Sequence, residues 1–279
     1  MKKTKILVPA LSILALGMAA SVTGTVAWFT SATTVSAGQL SVAVASNSDL
    51  RINDTVDAAA TAGGWTDKLT WNETDLELVP ATAIKGSAAS TTSNYDCAAR
   101  EIARFENVTL ADVKFITANK AKVNATTGAA PAIVVDGGDN SANYTDITEA
   151  QHGVMQEDYT LKYEGYVVDG GVNKYTVNIT TTITITTSDA HNIDQCLRVG
   201  VLNDLEKKFN VYTVGTHVEG KYTITPDAFT LTSMSHEDGA TKGFNIFVWY
   251  EGEDAGCINA NAYSNNLQIA LSHSIGAAV

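Results

Sequence analysis

A strictly alternating segment in the second half of the chain constrains the fold more than any other feature. Residues 175–187 read YTVNITTTITITT, with large apolar side chains at one parity and polar side chains at the other. The apolar positions are Tyr175, Val177, Ile179, Ile183 and Ile185, and the polar positions are Thr176, Asn178, Thr180, Thr182, Thr184 and Thr186. Successive side chains of a strand point to opposite faces, so the segment is predicted to be a half-buried strand of an antiparallel sheet.

Four further segments repeat this period of two. The residues that recur at this period are Leu197, Val199 and Val201; Phe244, Ile246, Val248 and Tyr250; Leu267, Ile269, Leu271, His273 and Ile275; and, near the start, Leu40, Val42 and Val44. In FNIFVWY the other parity carries Phe247 and Trp249, so this strand is predicted to be central and covered on both faces. Leu50 and Ile52 are expected to continue the first strand into a partner strand.

The remaining segments predict turns, two short helices and an insertion. A turn at 169–171 (DGG) is expected to join the run YVV at 166–168 to the alternating segment as a hairpin. Helices are predicted at 95–105 (YDCAAREIARF) and 203–209 (NDLEKKF). Residues 118–152 are rich in Ala, Asn, Thr, Gly and Asp and are interpreted as a long surface insertion. The predicted fold is therefore all-β, an antiparallel jelly-roll-like β-sandwich with one or two short helices and a long surface insertion.

The first 27 residues have the composition of a secretory signal peptide. Lys2, Lys3 and Lys5 precede an uncharged apolar stretch that ends in small residues at 25–27 (TVA). We expect cleavage between Ala27 and Trp28; retention of residues 6–29 as a membrane anchor is the alternative, because that stretch is long enough to span a bilayer. The mature chain, 28–279, is interpreted as a single secreted β-sandwich domain without a stable membrane span.

Charge and cysteine content narrow the classes of partner. Loss of the three leader lysines would take the formal net charge from −12 to −15, which argues against nucleic acids and anionic membranes as partners. The chain has three cysteines, Cys97, Cys196 and Cys257. In an exported protein two of them can pair; three pairings are possible and the sequence does not choose among them, and buried free thiols are the alternative.

No catalytic or metal-binding motif is present in the sequence. His236-Glu237 is followed by DGA and has no second histidine at the spacing of HExxH, and no GxSxG, Walker or dinucleotide-binding pattern occurs. The five scattered histidines are interpreted as surface or edge residues. The acidic runs at 136–139 and 251–254 are interpreted as solvated turns, with calcium binding as the alternative. We therefore predict a protein that is not an enzyme, with no cofactor and no metal site.

The N-terminal region resembles that of a known family. The run 25–30 (TVAWFT), followed by 35–42 (VSAGQLSV), is similar to the N-terminal signature of the TasA/camelysin-like proteins, and the runs LRVGV and FVWYEGED resemble later strands of exported relatives. The resemblance implies export through a SipW-type signal peptidase and assembly into biofilm or cell-surface fibres. Camelysin relatives have been classed as metalloproteases, but this chain has no zinc-binding motif. No resemblance covers residues 55–155.

These features lead to one expected function and one alternative. The expected function is a secreted structural subunit of an extracellular matrix or cell-surface fibre. It would assemble with itself, and with other matrix proteins, by β-strand addition of its mature N-terminus, residues 28–45. The expected assembly positions are Trp28, Phe29, Leu40, Val42 and Val44. The alternative is a monomeric surface adhesin or glycan-binding sandwich that uses loops of the 118–152 insertion.

Overall fold

A computed structural model describes residues 37–45, 49–55, 63–72, 78–93, 103–124, 130–134, 137–147, 153–186, 196–203, 206–214, 217–218, 221–233, 241–254, 257 and 267–279. The leader, the junction at Ala27–Trp28, Phe29, Cys97 and residues 95–102 of the first predicted helix lie outside the described residues.

The described residues form nineteen strands and one short 3₁₀ helix, Leu110–Asp112. The strands are β1 Ala37–Val44, β2 Leu50–Asn53, β3 Lys68–Trp71, β4 Pro80–Ser87, β5 Ser90–Ser93, β6 Ala103–Glu106, β7 Val113–Ala118, β8 Tyr144–Asp146, β9 Met155–Tyr163, β10 Val167–Asp169, β11 Val172–Lys174, β12 Thr176–Thr186, β13 Leu197–Asn203, β14 Lys208–Thr213, β15 His217–Val218, β16 Lys221–Ile224, β17 Phe229–Thr232, β18 Thr241–Glu251 and β19 Leu267–Ala278. The predicted all-β class is confirmed.

Two large sheets pack face to face as a sandwich. Sheet I has the order β15-β16-β12-β19-β1-β3, and β17 also pairs with β12. Sheet II has the order β6-β14-β13-β18-β4-β7-β8, with β9 joining β18 to β2 and β5 pairing with β4. Most pairs are antiparallel, as expected, but β1 runs parallel to β19 and β4 runs parallel to the end of β18. The first and last described strands are therefore neighbours in sheet I.

The main core lies between the two sheets and contains the alternating residues. In β12, Val177, Ile179, Ile183 and Ile185 are fully buried, which confirms the predicted inward face. They pack with inward residues of β1 and β19 against apolar side chains of β9, β13 and β18. Thr181 has the same parity as these apolar residues and is also buried.

The second face of β18 in sheet II is also covered. β4 pairs with β18 only at the end of that strand, and the β4–β7 pair packs across this face. Phe247 and Trp249 of β18 lie in a separate cluster with Phe115 of β7 and Phe209 of β14. The ring centroids of Phe115 and Trp249 are 5.0 Å apart in an edge-on arrangement, and those of Phe209 and Phe247 are 5.5 Å apart. The prediction that β18 is central and covered on both faces is confirmed.

The structure contradicts both helix predictions wherever it describes them. The end of the first segment, Ala103–Glu106, is strand β6, and the second segment ends in β14, which begins at Lys208. The two strands pair with each other, and Phe105 faces Phe209 across the pair with ring centroids 5.7 Å apart. Burying both phenyl rings in the second cluster outweighs the weak local preference for a helix.

Two predicted strand pairings are also wrong. The turn at Gly170 and Gly171, both with positive φ, joins β10 to the short strand β11 rather than to the Thr-rich strand β12. Strand β2 does not pair with β1, since it pairs with β9 and places Leu50 opposite Tyr163 in sheet II. β1 lies in sheet I and β2 in sheet II, so the two strands contribute to the same core from opposite sides.

Part of the expected insertion has regular structure. Strand β8 pairs with β7 at the margin of sheet II. Tyr144 of β8 is buried with Ile84 and Ile116 in a small apolar cluster. The Tyr144 hydroxyl also donates to Glu253 at 2.8 Å, which joins this region to the turn after β18.

Candidate functional site

Strand β1, the described part of the expected assembly segment, is inserted into the middle of its own chain's sandwich. Leu40 and Val42 are fully buried and Val44 is 7% exposed. All three belong to the main core. Trp28 and Phe29, the expected anchors, lie outside the described residues, so the structure brings together only the second half of the predicted set.

β1 is held on both sides by main-chain pairing. On one side it runs parallel to β19, with Val42 beside Leu271 and Val44 beside His273. On the other side it is antiparallel to β3, with Val42 opposite Leu69. The amide of Ala45 donates to the carbonyl of His273 at 3.0 Å, and the amide of Val44 donates to the carbonyl of Asp67 at 3.0 Å. β1 therefore occupies a slot between β19 and β3.

The strands at the margins of both sheets are short wherever the structure describes them. In sheet I the outermost strands are β15, of two residues, and β3, of four. In sheet II they are β2, β5 and β6, of four residues each, and β8, of three. Short edge strands are a common protection against edge-to-edge association. None of these marginal strands is as long as the eight-residue β1.

A buried histidine lies directly beside the slot. His273 of β19 is 1% exposed. Its Nδ1 is 2.9 Å from the Thr181 hydroxyl, its Nε2 is 2.8 Å from the Tyr159 hydroxyl, and its ring stacks on Phe244. Burial lowers the pKa of His273 to about 3, so the ring is neutral at physiological pH.

The interpretation of His273 as a surface or edge residue is therefore wrong. The usable signal was its parity, because His273 lies two residues from Leu271 on the inward face of its strand. A neutral ring with hydroxyl partners on both nitrogens has neither a free lone pair nor a free proton to offer a substrate. The arrangement suits cross-linking of strands better than acid–base chemistry.

A cavity of about 190 Å³ adjoins this histidine. Aromatic side chains line one part of it, including Tyr212, Phe229 and Phe244, and polar side chains line another, including Glu206 and Asp227. At about 30 Å³ per water molecule, this volume holds about six waters or a molecule the size of one sugar ring. None of its lining residues comes from the 118–152 segment, where the sequence interpretation placed a binding surface.

The acidic run after β18 is buried where a solvated turn was expected. Glu251 is fully buried and accepts hydrogen bonds from Trp249 Nε1 at 3.1 Å, from the amide of Glu253 at 3.1 Å and from the Thr82 hydroxyl. Asp254 is 5% exposed and forms an ion pair with the guanidinium of Arg198. The interpretation as a solvated turn is therefore wrong for these two carboxylates, which are satisfied by protein donors.

Two cysteines and an arginine lie beside this turn. Cys196 and Cys257 are both fully buried, and neither forms a disulfide in this structure. The Arg198 side chain is 1% exposed, forms the ion pair with Asp254 and donates to the carbonyl of Leu197 at 3.0 Å. A hydrogen bond joins the thiols of Cys196 and Cys257.

Within the described residues, no group of three or more His, Cys, Asp or Glu side chains is placed to hold a metal ion. No helix in that part of the chain is long and apolar enough to cross a membrane. No protein-family description, no curated protein and no solved structure matches this chain.

Proposed function

We propose that this chain is a secreted structural subunit of an extracellular matrix or cell-surface fibre, and that its subunits join by exchange of the N-terminal strand. The observation that carries the proposal is the slot between β19 and β3, which β1 fills with Leu40, Val42 and Val44. The signal-peptide-like leader supports export.

Exchange of β1 fits the described edges better than addition to an existing edge. β1 has eight residues, whereas each described margin strand has at most four, so none of them offers equivalent hydrogen bonding. A slot vacated by β1 offers main-chain partners on both sides and a floor of core side chains. The same strand from a second copy would restore both sets of contacts.

The energetics of exchange are close to balanced. Full burial of a Leu or Val side chain is worth about 1.5–3 kcal/mol, so an empty slot would cost roughly 4.5–9 kcal/mol from Leu40, Val42 and Val44 alone. A strand from another subunit recovers the same amount. Polymer formation is then governed by subunit concentration and by the freedom of the link after β1. Because each subunit donates and receives at different surfaces, the contact is heterologous and generates filaments.

A cross-strand cysteine pair tests the exchange. The hydrogen bond from Val44 to Asp67 makes these two a hydrogen-bonded pair, and such pairs alternate along an antiparallel ladder. Ser41 and Thr70, which face each other three residues away, are therefore a non-hydrogen-bonded pair, the type with the closer side chains. Both lie on the outward face, so cysteines there should form a disulfide without disturbing the core.

Two single variants, Ser41→Cys and Thr70→Cys, are mixed as mature chains that also carry Cys97→Ser, and are then allowed to assemble and oxidised. The proposal predicts filaments whose covalent dimers contain one chain of each variant. The matched control is the double variant as a dilute monomer, which should cross-link within one chain. Filaments without mixed dimers, or a mature chain that forms no filaments, would contradict the proposal.

Truncation provides a second test. Deleting residues 28–38 removes Trp28 and Phe29 but leaves the buried positions of β1 to complete the core. Without these two expected anchors an exchanged strand would be held less firmly in the next subunit. We therefore expect a cooperatively folding monomer that does not extend filaments, as seen by electron microscopy. Aspartate at Leu40 or Val42 is a poor test, because it would place an unpaired charge in the subunit's own core and prevent folding.

The cavity beside His273 favours one second candidate, a glycan-binding adhesin. Its combination of aromatic faces with Glu206, Asp227 and Asn203 provides stacking surfaces and hydrogen-bonding groups for a sugar. A glycan array with the mature monomer tests it: binding that is lost in Asp227→Ala, while filaments never form, would favour this candidate over the structural one.

A further inference from the structure

Cys196 and Cys257 meet where β13 begins and the turn after β18 ends. The amide of Glu251 donates to the carbonyl of Cys196 at 2.7 Å, which extends the β13–β18 pair by one position. The amide of Cys257 donates to the carbonyl of Asp254 at 2.8 Å, so the chain folds back after β18. This return brings the two thiols into hydrogen-bonding contact, with neither exposed to solvent.

We propose that Cys196 and Cys257 form an intrachain disulfide in the exported protein, and that Cys97 is the unpaired cysteine. The inference rests on the proposed export, because disulfides persist in oxidising compartments outside the cytoplasm. Two fully buried thiols in mutual contact, one in each of two adjacent chain segments, require little backbone movement to be joined.

The reaction is thiol–disulfide exchange with a disulfide oxidant, such as oxidised glutathione or the active-site disulfide of an oxidoreductase. One cysteine thiolate attacks a sulfur of the oxidant and forms a mixed disulfide, and the second displaces the remaining oxidant thiol. Two S–H bonds are lost and one S–S bond is gained in the protein. The oxidant takes up the two electrons and two protons and leaves as two thiols.

The burial of the pair determines when this reaction occurs. Burial raises the pKa of Cys257 well above its ordinary value, and the hydrogen bond with Cys196 and the nearby carboxylate of Glu251 raise it further. The Cys257 thiol therefore rarely ionises in the folded, reduced protein, and both buried sulfurs are shielded from an oxidant. Oxidation therefore belongs to folding, before the turn closes, and the finished disulfide is protected from reductants in the same way.

The bond would fix the buried turn to the start of β13. The ion pair between Arg198 and Asp254 lies between the two cysteines along this return, and the disulfide would close a loop of roughly 60 residues around it. Loop closure on this scale predicts that reduction lowers the thermal unfolding midpoint by about 10 °C.

Peptide mapping tests the pairing directly, because trypsin places the three cysteines in separate peptides, 86–100, 175–198 and 243–279. The mature chain is refolded with reduced and oxidised glutathione and digested without reduction. A linked 175–198/243–279 pair and a free 86–100 peptide are expected. A link that includes residues 86–100, or three free peptides, overturns the proposal.

The Cys97→Ser chain isolates the contribution of the bond. Its oxidised form should weigh 2 Da less than its reduced form and unfold about 10 °C higher. In the matched control, Cys97→Ser with Cys196→Ser, the midpoint should not respond to oxidant. An equal midpoint for the oxidised and reduced Cys97→Ser chain overturns the structural role. All these measurements use monomer, so a failure to form filaments would count against the proposed function alone.

Discussion

Acid should destabilise this protein through His273, by an amount that can be worked out. The folded protein keeps the ring neutral, with a pKa of about 3, whereas the unfolded chain titrates near the ordinary value of 6.5. Below pH 6.5 the unfolded state therefore binds one more proton than the folded state. The stability that depends on a neutral His273 is fully present above pH 6.5 and declines as the pH falls from 6.5 towards 3.

At pH 5.0 the expected loss from this one group is about 2 kcal/mol, since 1.5 pH units at about 1.4 kcal/mol each separate that pH from the unfolded pKa. The unfolding equilibrium constant rises about thirtyfold. Burial is the cause, because a charged imidazole would lie in the core against Phe244 with only hydroxyl groups at its nitrogens.

The assay compares urea unfolding at pH 7.5 and 5.0 for the parent chain and for His273→Gln, which keeps one hydrogen-bonding partner and cannot titrate. Glu206 and Asp227 line the same cavity and are present in both proteins. The parent should lose about 2 kcal/mol more than the variant between the two pH values. Equal losses would show that His273 is not held neutral in the folded protein, and the reasoning would fail.

Two further substitutions have calculable directions. A Cβ at Gly200 would lie 2.6 Å from the ring of Phe209, so Gly200→Ala should cost about 1–3 kcal/mol of unfolding free energy by overpacking. The control is Gly63→Ala, which should cost little because no atom lies within 4 Å of its Cβ. Urea titration compares the two variants. Asp254→Asn removes the carboxylate that pairs with the buried Arg198 and should cost about 3–5 kcal/mol in the same assay. The double variant Arg198→Met with Asp254→Leu should recover most of this loss.

The strands with an unbroken period of two could be predicted from sequence because their pattern is local. In β12 and β19 every second residue meets the core, and one face of a sandwich must be buried whatever strand lies alongside. The same logic identified β18 as doubly covered, since Phe247 and Trp249 leave it no polar face. These predictions needed no knowledge of pairing partners.

Pairing itself could not be predicted, because alternation specifies a face and not a neighbour. The DGG turn is correctly placed, yet its second strand is the three-residue β11 and not the stronger strand that follows. Likewise, residues 203–209 resemble a helix because their charged residues suit one, but Phe209 gains more by facing Phe105 across a strand pair. The two residues are far apart in sequence, so no local pattern predicts this pair.

The buried polar sites were missed for a related reason. Residue type alone predicts a surface position for His273 and leaves Thr181 out of both faces of its strand, although both residues have inward parity and are direct partners across β12 and β19. Glu251 was interpreted as a turn residue because its neighbours are acidic. Only the structure shows that Trp249 and Thr82 donate to it from the covered face.

His273 also bears on whether a slot for β1 can persist without β1. Its side chain connects β19 to β12 through Thr181 in the same sheet, and to β9 through Tyr159 in the opposite sheet. The main chain of His273 holds β1, since its carbonyl accepts from the amide of Ala45. The departure of β1 would therefore leave both side-chain bonds in place, and β19 would still be paired with β12 along most of its length. One wall of the slot is thus fixed independently of the strand that fills it, as strand exchange requires.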